Sequence, residues 1–562
     1  MSRIGSVLGL VPRLPSVLRT LLRLRPAQAR AQLRHTLFGL SAPRSYSGES
    51  PRLATDRPHT AFLVPPAHVK SDGVTAIEML GTSFPIGSPI DWATSHGGPL
   101  FAYHLHQHEA LRLPAFSPEA RAVFIRDWIH HHESGVGWDP HPISLRLLCW
   151  GKLLVAQGIQ GADADIQEEM IRSMASQAET LSHGLEIRLQ ANHLLSNLIG
   201  IVFTGMLLDG DVASEWRNRA SDLIEELDLQ VRPDGGHEER SPMYHGLLLE
   251  GLLDLLNLCR SDESRAPDGL VQKLSDVIRE MLVALDLMTH SDGRPALFAD
   301  CAFDIAARFA ELRDYASRLG ITPADLVRSG YLPQTGYFRL SAGGYELIAS
   351  VAAPSPEHQP GHAHCDALAF ELSVDGNRLV TDMGLYEYRA GRRRDLARAT
   401  ASHSTFEFDG REQAELWAAH RVGGRPEVEL TGWNENGEAV AICRGWSRNA
   451  PLHRRHFQVD DEGVTIIDSV EGKFGEVAFC LPIDPAWQVE LEANTARAMR
   501  DLASDESMPV VVEIELAECF EWCLERRFYY PTFGREVERA ALVGHATNAR
   551  FNGATTHFRR VE

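Results

Sequence analysis

The sequence predicts a multidomain α+β protein in which a helical domain is followed by an antiparallel β domain. Three observations carry this. The chain has 562 residues, too many for one hydrophobic core. From about residue 99 to 325, apolar positions recur at three- and four-residue spacing between short Gly, Asp or Pro breaks. From about 335 onward the runs shorten, alternate with period two and are separated by turn signals.

The helical part opens with SPEARAVFIRDWIHHH (117–132), whose Ser-Pro start is a capping signature. Further helices are expected at roughly 142–158, 165–182, 185–209, 212–230, 241–260, 268–289 and 301–318. Punctuation such as QGIQGAD and RPDGG makes the connections short. Successive antiparallel helices of this kind stack as hairpins, in a toroid or a solenoid, and no fixed repeat period is visible.

In the second part, TGYFRLSAGGYELIASVAAP alternates, turns at Gly-Gly and alternates again, which predicts a hairpin. ALAFELSV, RLVTDMG, STFEFDG, EAVAICRGW, HRRHFQV, VTIIDSV and VVVEIEL follow as strands. Many short strands with near-regular turns predict a β-sandwich. The expected organisation is a basic N-terminal segment and linker over 1–60, a helical domain over 61–330 and a β-sandwich over 331–562.

The first fifty residues hold many arginines and no acidic residue before Glu49. Arg13 and Arg19 interrupt the apolar run, which makes it a poor secretory signal. Three readings stand: a basic amphipathic segment on an anionic membrane or a partner, an organelle transit peptide, or a solvated helix packed on the main domain. The expected location is cytoplasmic or peripheral to a membrane, with the periplasm as the alternative. No stretch approaches the length of a transmembrane helix.

A formal charge of −21 argues against sequence-independent nucleic-acid binding, which needs a basic surface. It leaves room for an anionic polymer in a locally basic cleft. The eight cysteines are scattered with no CxxC pair, so they read as buried thiols.

Several groups of residues carry candidate chemistry. In GHAHCDALAFELSVDGNRLVTDMG (361–384), alternation along a strand places His362, His364 and Asp366 on one face. A hairpin turn at 375–377 returns Asp382 beside His364, and His403 heads the next strand. These are metal ligands of the zinc type, catalytic groups, or polar residues at strand ends. Asn192 and His193 open an apolar helix, where an Asn is commonly a cap or a buried hydrogen-bonder. PDGGHEERSPMYHGLLLEGL (233–252) is a loop followed by a Ser-Pro helix start with Tyr244 in its first turn. Arg146, between Trp138 and Trp150, suits a sugar ring or is core packing.

Taken together, the order NH, DGG-x-E-x-RSPMYH, GHAHCD, DMG and SHST, with PLFAYHLHQHEAL and the late FYYPTFGRE, resembles the heparinase II/III family of polysaccharide lyases across most of residues 99–540. The resemblance implies an incomplete (α/α) toroid followed by a β-sandwich. It implies β-elimination on an anionic, uronic-acid-containing polysaccharide: glycosaminoglycan-like, alginate-like or a bacterial exopolysaccharide. Asn192, with His193 as helper, would neutralise the uronate carboxylate, Tyr244 would protonate the leaving oxygen and His362 would be the base. Arg146, Glu238 and Arg240 would contact the sugar or orient the loop. His364, Asp382 and His403 would hold a structural divalent metal, zinc. Ser404 after His403, and Cys365 between the histidines and Asp366, depart from the family pattern. The alternative is a non-catalytic carbohydrate-binding or assembly protein of a surface-polysaccharide pathway.

Overall fold

A computed structural model describes residues 14–561, except 40–41, 50, 55–56, 88, 157, 160–164, 323–328 and 502–508. The helical domain is built from the long helices Pro118–His131, Pro140–Val155, Ile166–His183, Ala191–Leu207, Pro242–Ser261 and Leu270–Leu287, closed by Phe309–Arg318. Their starts follow from local chemistry. Ser117 and Ser241 each accept a hydrogen bond from the backbone N–H three residues on, at 3.2 Å, and a proline occupies the next position in both. Such a proline lacks an N–H that would be unsatisfied there anyway. Helices Pro140–Val155 and Ala191–Leu207 press close because Gly151 has no side chain: a Cβ there would sit 2.4 Å from the Phe203 ring.

Two helices start later than their periodicity predicts. The one expected from 185 begins at Ala191, because Gln190 (φ 57°) and Ala191 (φ 48°) hold left-handed backbone. The one expected from 301 begins at Phe309, since Asp304 also has positive φ and the Phe303 N–H is tied to Pro531 O at 2.7 Å. In both cases tertiary bonds outcompete helix propensity.

The β domain is a sandwich. One layer is a five-stranded antiparallel sheet in sequence order, from Gly330–Leu332 through Tyr337–Ala342, Tyr345–Ser350 and Phe370–Val374 to Asn377–Val380. It packs on an eight-stranded sheet, with Phe338 edge-on to Phe457 at 5.0 Å in the shared core. The predicted hairpin turns at Gly343 and Gly344, both with positive φ, the pairing that two-residue hairpin loops favour. Residues 361–369, read as the head of a strand, are instead a loop. The Ala369 N–H bonds Asp366 O at 3.0 Å and Leu368 has φ 61°, so pairing begins only at Phe370.

Arg240 joins the two domains. It is 6% exposed, has φ 58° and donates to Thr335 O, Gly336 O, Ala353 O and Ser350 Oγ at 2.6–3.3 Å. An N-terminal arm of two helices, Leu14–Leu21 and Pro26–Phe38, lies across the same junction. Ser16 and Arg19 hold Glu415, Arg25 donates to Gln190 Oε1 at 3.0 Å, and Gln28 reaches His358 O at 3.3 Å. The arm is thus packed on both domains, while Leu22 and Phe38 are 85% and 78% exposed. Among the described residues no helix is long and apolar enough to cross a membrane. Seven cysteines are buried and Cys523 is exposed; all are free thiols.

Candidate active site

The cleft lies where the first turns of two toroid helices meet loops of the β domain. Asn192 comes from the start of helix Ala191–Leu207, Tyr244 from the start of Pro242–Ser261 and His362 from the loop before strand Phe370–Val374. The Tyr244 and His362 rings are 4.1 Å apart at 32°. His362 Nε2 is 3.4 Å from Asn192 Nδ2 and 3.8 Å from Glu239 Oε1. Three residues proposed from three separate stretches therefore share one cleft. Asn192 and Tyr244 also line a cavity of about 170 Å³ that runs into the toroid.

Asp300 fixes His362. It is fully buried and accepts hydrogen bonds from His362 Nδ1 and His364 Nε2, each at 2.8 Å, and from both terminal nitrogens of Arg394. Burial alone would raise its pKa. The Arg394 charge and the two imidazole hydrogen bonds outweigh burial and hold Asp300 well below the usual carboxylate range. With Nδ1–H committed to this carboxylate, the Nε2 lone pair of His362 is directed into the cleft.

The Tyr244 hydroxyl is 2.8 Å from that of Tyr388, a residue not picked out from sequence. Burial pushes the Tyr244 hydroxyl above its ordinary value, opposed by the Tyr388 hydrogen bond. Tyr244 thus stands protonated, ready to donate. The Arg394 guanidinium lies 5.3 Å from the Tyr388 ring, so one arginine supports both sides of the site. Glu239 is buried against Asn192, whose amide nitrogen donates to both carboxylate oxygens at 2.8–3.0 Å. Burial raises the Glu239 pKa, with the Asn192 hydrogen bonds among the opposing effects.

The remaining sequence candidates fall in different places. His193 pairs with the buried Glu186 (Nδ1 to Oε2, 3.0 Å), off to one side of Asn192. Glu238 is buried beside Arg25 (3.5 Å), and burial pushes its pKa up to about 8. Arg146 does not face the cleft. It is 0% exposed, lies 3.9 Å from the Trp128 ring and donates to Gln177, His106 O and Gly137 O. Its guanidinium braces the toroid wall instead of a sugar. Arg240 is likewise turned to the domain junction, where its guanidinium makes four hydrogen bonds to the β domain.

At the expected metal centre, Asp382 holds His403 Nδ1 with both oxygens, at 2.8 and 2.9 Å. His364 Nε2 is taken by Asp300. This leaves His364 Nδ1 and His403 Nε2 buried without partners, on rings 5.5 Å apart. Two orphaned imidazole nitrogens, each backed by a carboxylate on the opposite ring nitrogen, fit a metal with a second shell of Asp300 and Asp382. In this geometry Asp382 stands behind His403 and does not reach the open nitrogens. Among the described residues, the one set of three side chains whose donor atoms lie within 4.8 Å of one another is His141, Glu186 and His193. His141 and Glu186 were not singled out from sequence.

Comparison with known proteins accords with this architecture. The heparinase II/III N-terminus model matches residues 157–319 and the heparinase II/III-like, C-terminal model matches 325–545, together about two thirds of the chain. The chain is 28% identical over 385 residues to FtsZ-localized protein C of Caulobacter vibrioides, covering 65% of this chain and 62% of that protein. It is 24% identical over 311 residues to heparin-sulfate lyase of Bacteroides stercoris, covering 50% and 44%. It thus spans less than two thirds of either relative. A heparinase III crystal structure superposes with a TM-score of 0.67 at 15% identity, covering 96% of this chain and 85% of that one. A heparan sulfate lyase HepC mutant from Pedobacter heparinus gives 0.59 at 18%, covering 85% and 80%. Such identities speak to the fold: a helical toroid followed by an antiparallel β-sandwich. On the two family models, and on a fold shared along nearly its whole length, the chain belongs to the heparinase II/III family.

Proposed function

We propose that the protein is a polysaccharide lyase that cleaves a uronic-acid-containing, glycosaminoglycan-like polymer by β-elimination. The observation that carries this is the meeting of His362 Nε2, the Tyr244 hydroxyl and the Asn192 amide in one cleft. An eliminating enzyme needs a base, an acid and a group for the carboxylate charge, and these three supply them. The curated relative named heparin-sulfate lyase supports the same reading.

The uronate carboxylate docks against Asn192. The Asn192 amide, oriented by the buried Glu239, donates to the carboxylate as negative charge spreads onto it. His362 Nε2 removes the C5 proton, and the C5–H electron pair moves into the conjugated carboxyl system. The pair then forms the C4–C5 double bond as the C4–O4 bond breaks. Tyr244 gives its proton to O4, and the tyrosinate is stabilised by the Tyr388 hydroxyl. The products are a 4,5-unsaturated uronate end and a chain ending in a free hydroxyl. Proton return from the His362 imidazolium, through solvent, restores Tyr244.

A divalent metal such as zinc would be held by His364 and His403, with Asp300 and Asp382 behind them. The ion would supply rigidity to the loop that carries His362. Small displacements of a base cost much rate.

Purified protein incubated with hyaluronan, chondroitin, heparan sulfate, alginate and bacterial exopolysaccharides should raise the ultraviolet absorbance of unsaturated uronate on at least one. No rise on any of them would overturn the proposal. The relative named for its localisation with FtsZ favours a second reading, a non-catalytic carbohydrate-binding or assembly protein, which predicts polymer binding without product.

A further inference from the structure

His141, Glu186 and His193 come from three separate segments: the first turn of helix Pro140–Val155, the loop after Ile166–His183 and the first turn of Ala191–Leu207. They converge on one point beside Asn192. One donor atom of each lies within 4.8 Å of the others, and the two imidazole rings are 4.4 Å apart at 35°. His193 Nδ1 to Glu186 Oε2 is 3.0 Å. That separation suits a hydrogen bond, and it is also close to the ~3.3 Å between two donors bound to one tetrahedral ion at ~2.0–2.1 Å.

Two further features distinguish the group from an ordinary ion pair. His141 Nδ1 is buried and has no hydrogen-bond partner, a costly state for a polar atom. An ion pair between Glu186 and His193 leaves that cost standing, whereas a cation bound through His141 Nδ1 would remove it. The carboxylate is also held from behind. Asn197 Nδ2 donates to Glu186 Oε2 at 3.2 Å, Asn197 Oδ1 accepts from the Glu186 N–H at 2.9 Å, and Asn197 also donates to Ser144 Oγ at 2.9 Å. Backing of this kind orients metal ligands in known centres.

We propose that His141, Glu186 and His193 form a second divalent-metal site, of the zinc class, on the toroid side of the cleft. Two imidazoles and one carboxylate are a borderline-soft donor set that suits zinc or cobalt over calcium or magnesium. Three protein donors leave a fourth position for water or an anionic group of a ligand in the cavity that His141 lines. The site is separate from the His364–His403 pair, shares no residue with it and can be measured without any substrate. It therefore stands or falls independently of the lyase proposal.

The test is metal uptake by the full chain after chelator treatment. Zn2+ is followed by equilibrium dialysis with elemental analysis, and Co2+ by its visible absorption. Wild type should bind one equivalent that His403→Ala retains and that His141→Ala and Glu186→Gln each lose, with at least a tenfold weaker Kd. Glu186→Gln keeps an oxygen and an amide near Asn197, and circular dichroism with thermal melting identifies any variant that has unfolded. If both folded variants bind as wild type does, or if His403→Ala removes all bound metal, the site is overturned.

Discussion

The rings of Tyr244 and His362 face each other at 4.1 Å, although one opens a toroid helix and the other lies in a loop of the β domain. This pairing supports a testable division of labour. Tyr244→Phe and His362→Ala should each lower turnover by about 10²–10⁴-fold, the range for removing a positioned acid or base. Tyr388→Phe removes only the hydrogen bond to the tyrosinate and should cost about tenfold. Initial rates of unsaturated-product formation, with folding checked by circular dichroism, would decide. Wild-type rates for Tyr244→Phe would refute its role.

Asp300→Asn should damage both activity and stability. The amide cannot accept two imidazole N–H bonds while offsetting the buried Arg394 charge. Breaking a buried ion pair by altering one partner costs about 3–5 kcal/mol. Urea unfolding should record that loss. Stability within 1 kcal/mol of wild type would mean that Arg394 finds compensation elsewhere.

Arg240→Ala tests whether a residue turned to the domain junction sets the site. Its loss leaves the buried carbonyls of Thr335, Gly336 and Ala353 without this donor, at about 1–3 kcal/mol for each group left unsatisfied. The loop carrying Glu238 and Glu239 should loosen, lowering kcat together with the unfolding midpoint. A variant that binds polymer more weakly but melts normally would return Arg240 to the sugar contact expected from sequence.

Glu238 gives stability a pH dependence of predictable sign. Burial pushes its folded pKa up to about 8, with the Arg25 charge opposing, against roughly 4.3 when unfolded. The folded state keeps a proton that the unfolded chain releases. Its contribution is therefore complete below pH ~4.3 and is lost as pH rises through about 8, with a slope approaching ~1.4 kcal/mol per pH unit. Glu238→Gln should flatten the decline in urea midpoint between pH 5 and 8. Identical slopes in the two proteins would contradict the assignment.

Much of the architecture was legible because it rests on local rules. Ser-Pro starts at 117 and 241, and Gly-Gly at 343–344, announce caps and a turn whatever the tertiary context. Asn192, Tyr244 and His362 were visible through motif order. Asp300, Tyr388 and Arg394 were not, since they sit in loops or a short helix with no periodic signal. Only the docking of two domains shows that they converge on one carboxylate and one hydroxyl. Arg146 misled for the opposite reason. Its sequence neighbours Trp138 and Trp150 suggested a sugar platform, yet the guanidinium packs against the distant Trp128. The strand reading of 361–369 failed because alternation of residue types says nothing about whether a partner strand is in reach.

The N-terminal arm carries a kinetic consequence. Ser16 meets Glu415 across 399 residues, and Gln28 meets His358 across 330. At a synthesis rate of about 5–20 residues per second, the arm waits roughly 20–80 s before the residues it binds have been made. During that interval its leucines and arginines have no cleft to lie across, and it is open to proteases and to any surface nearby.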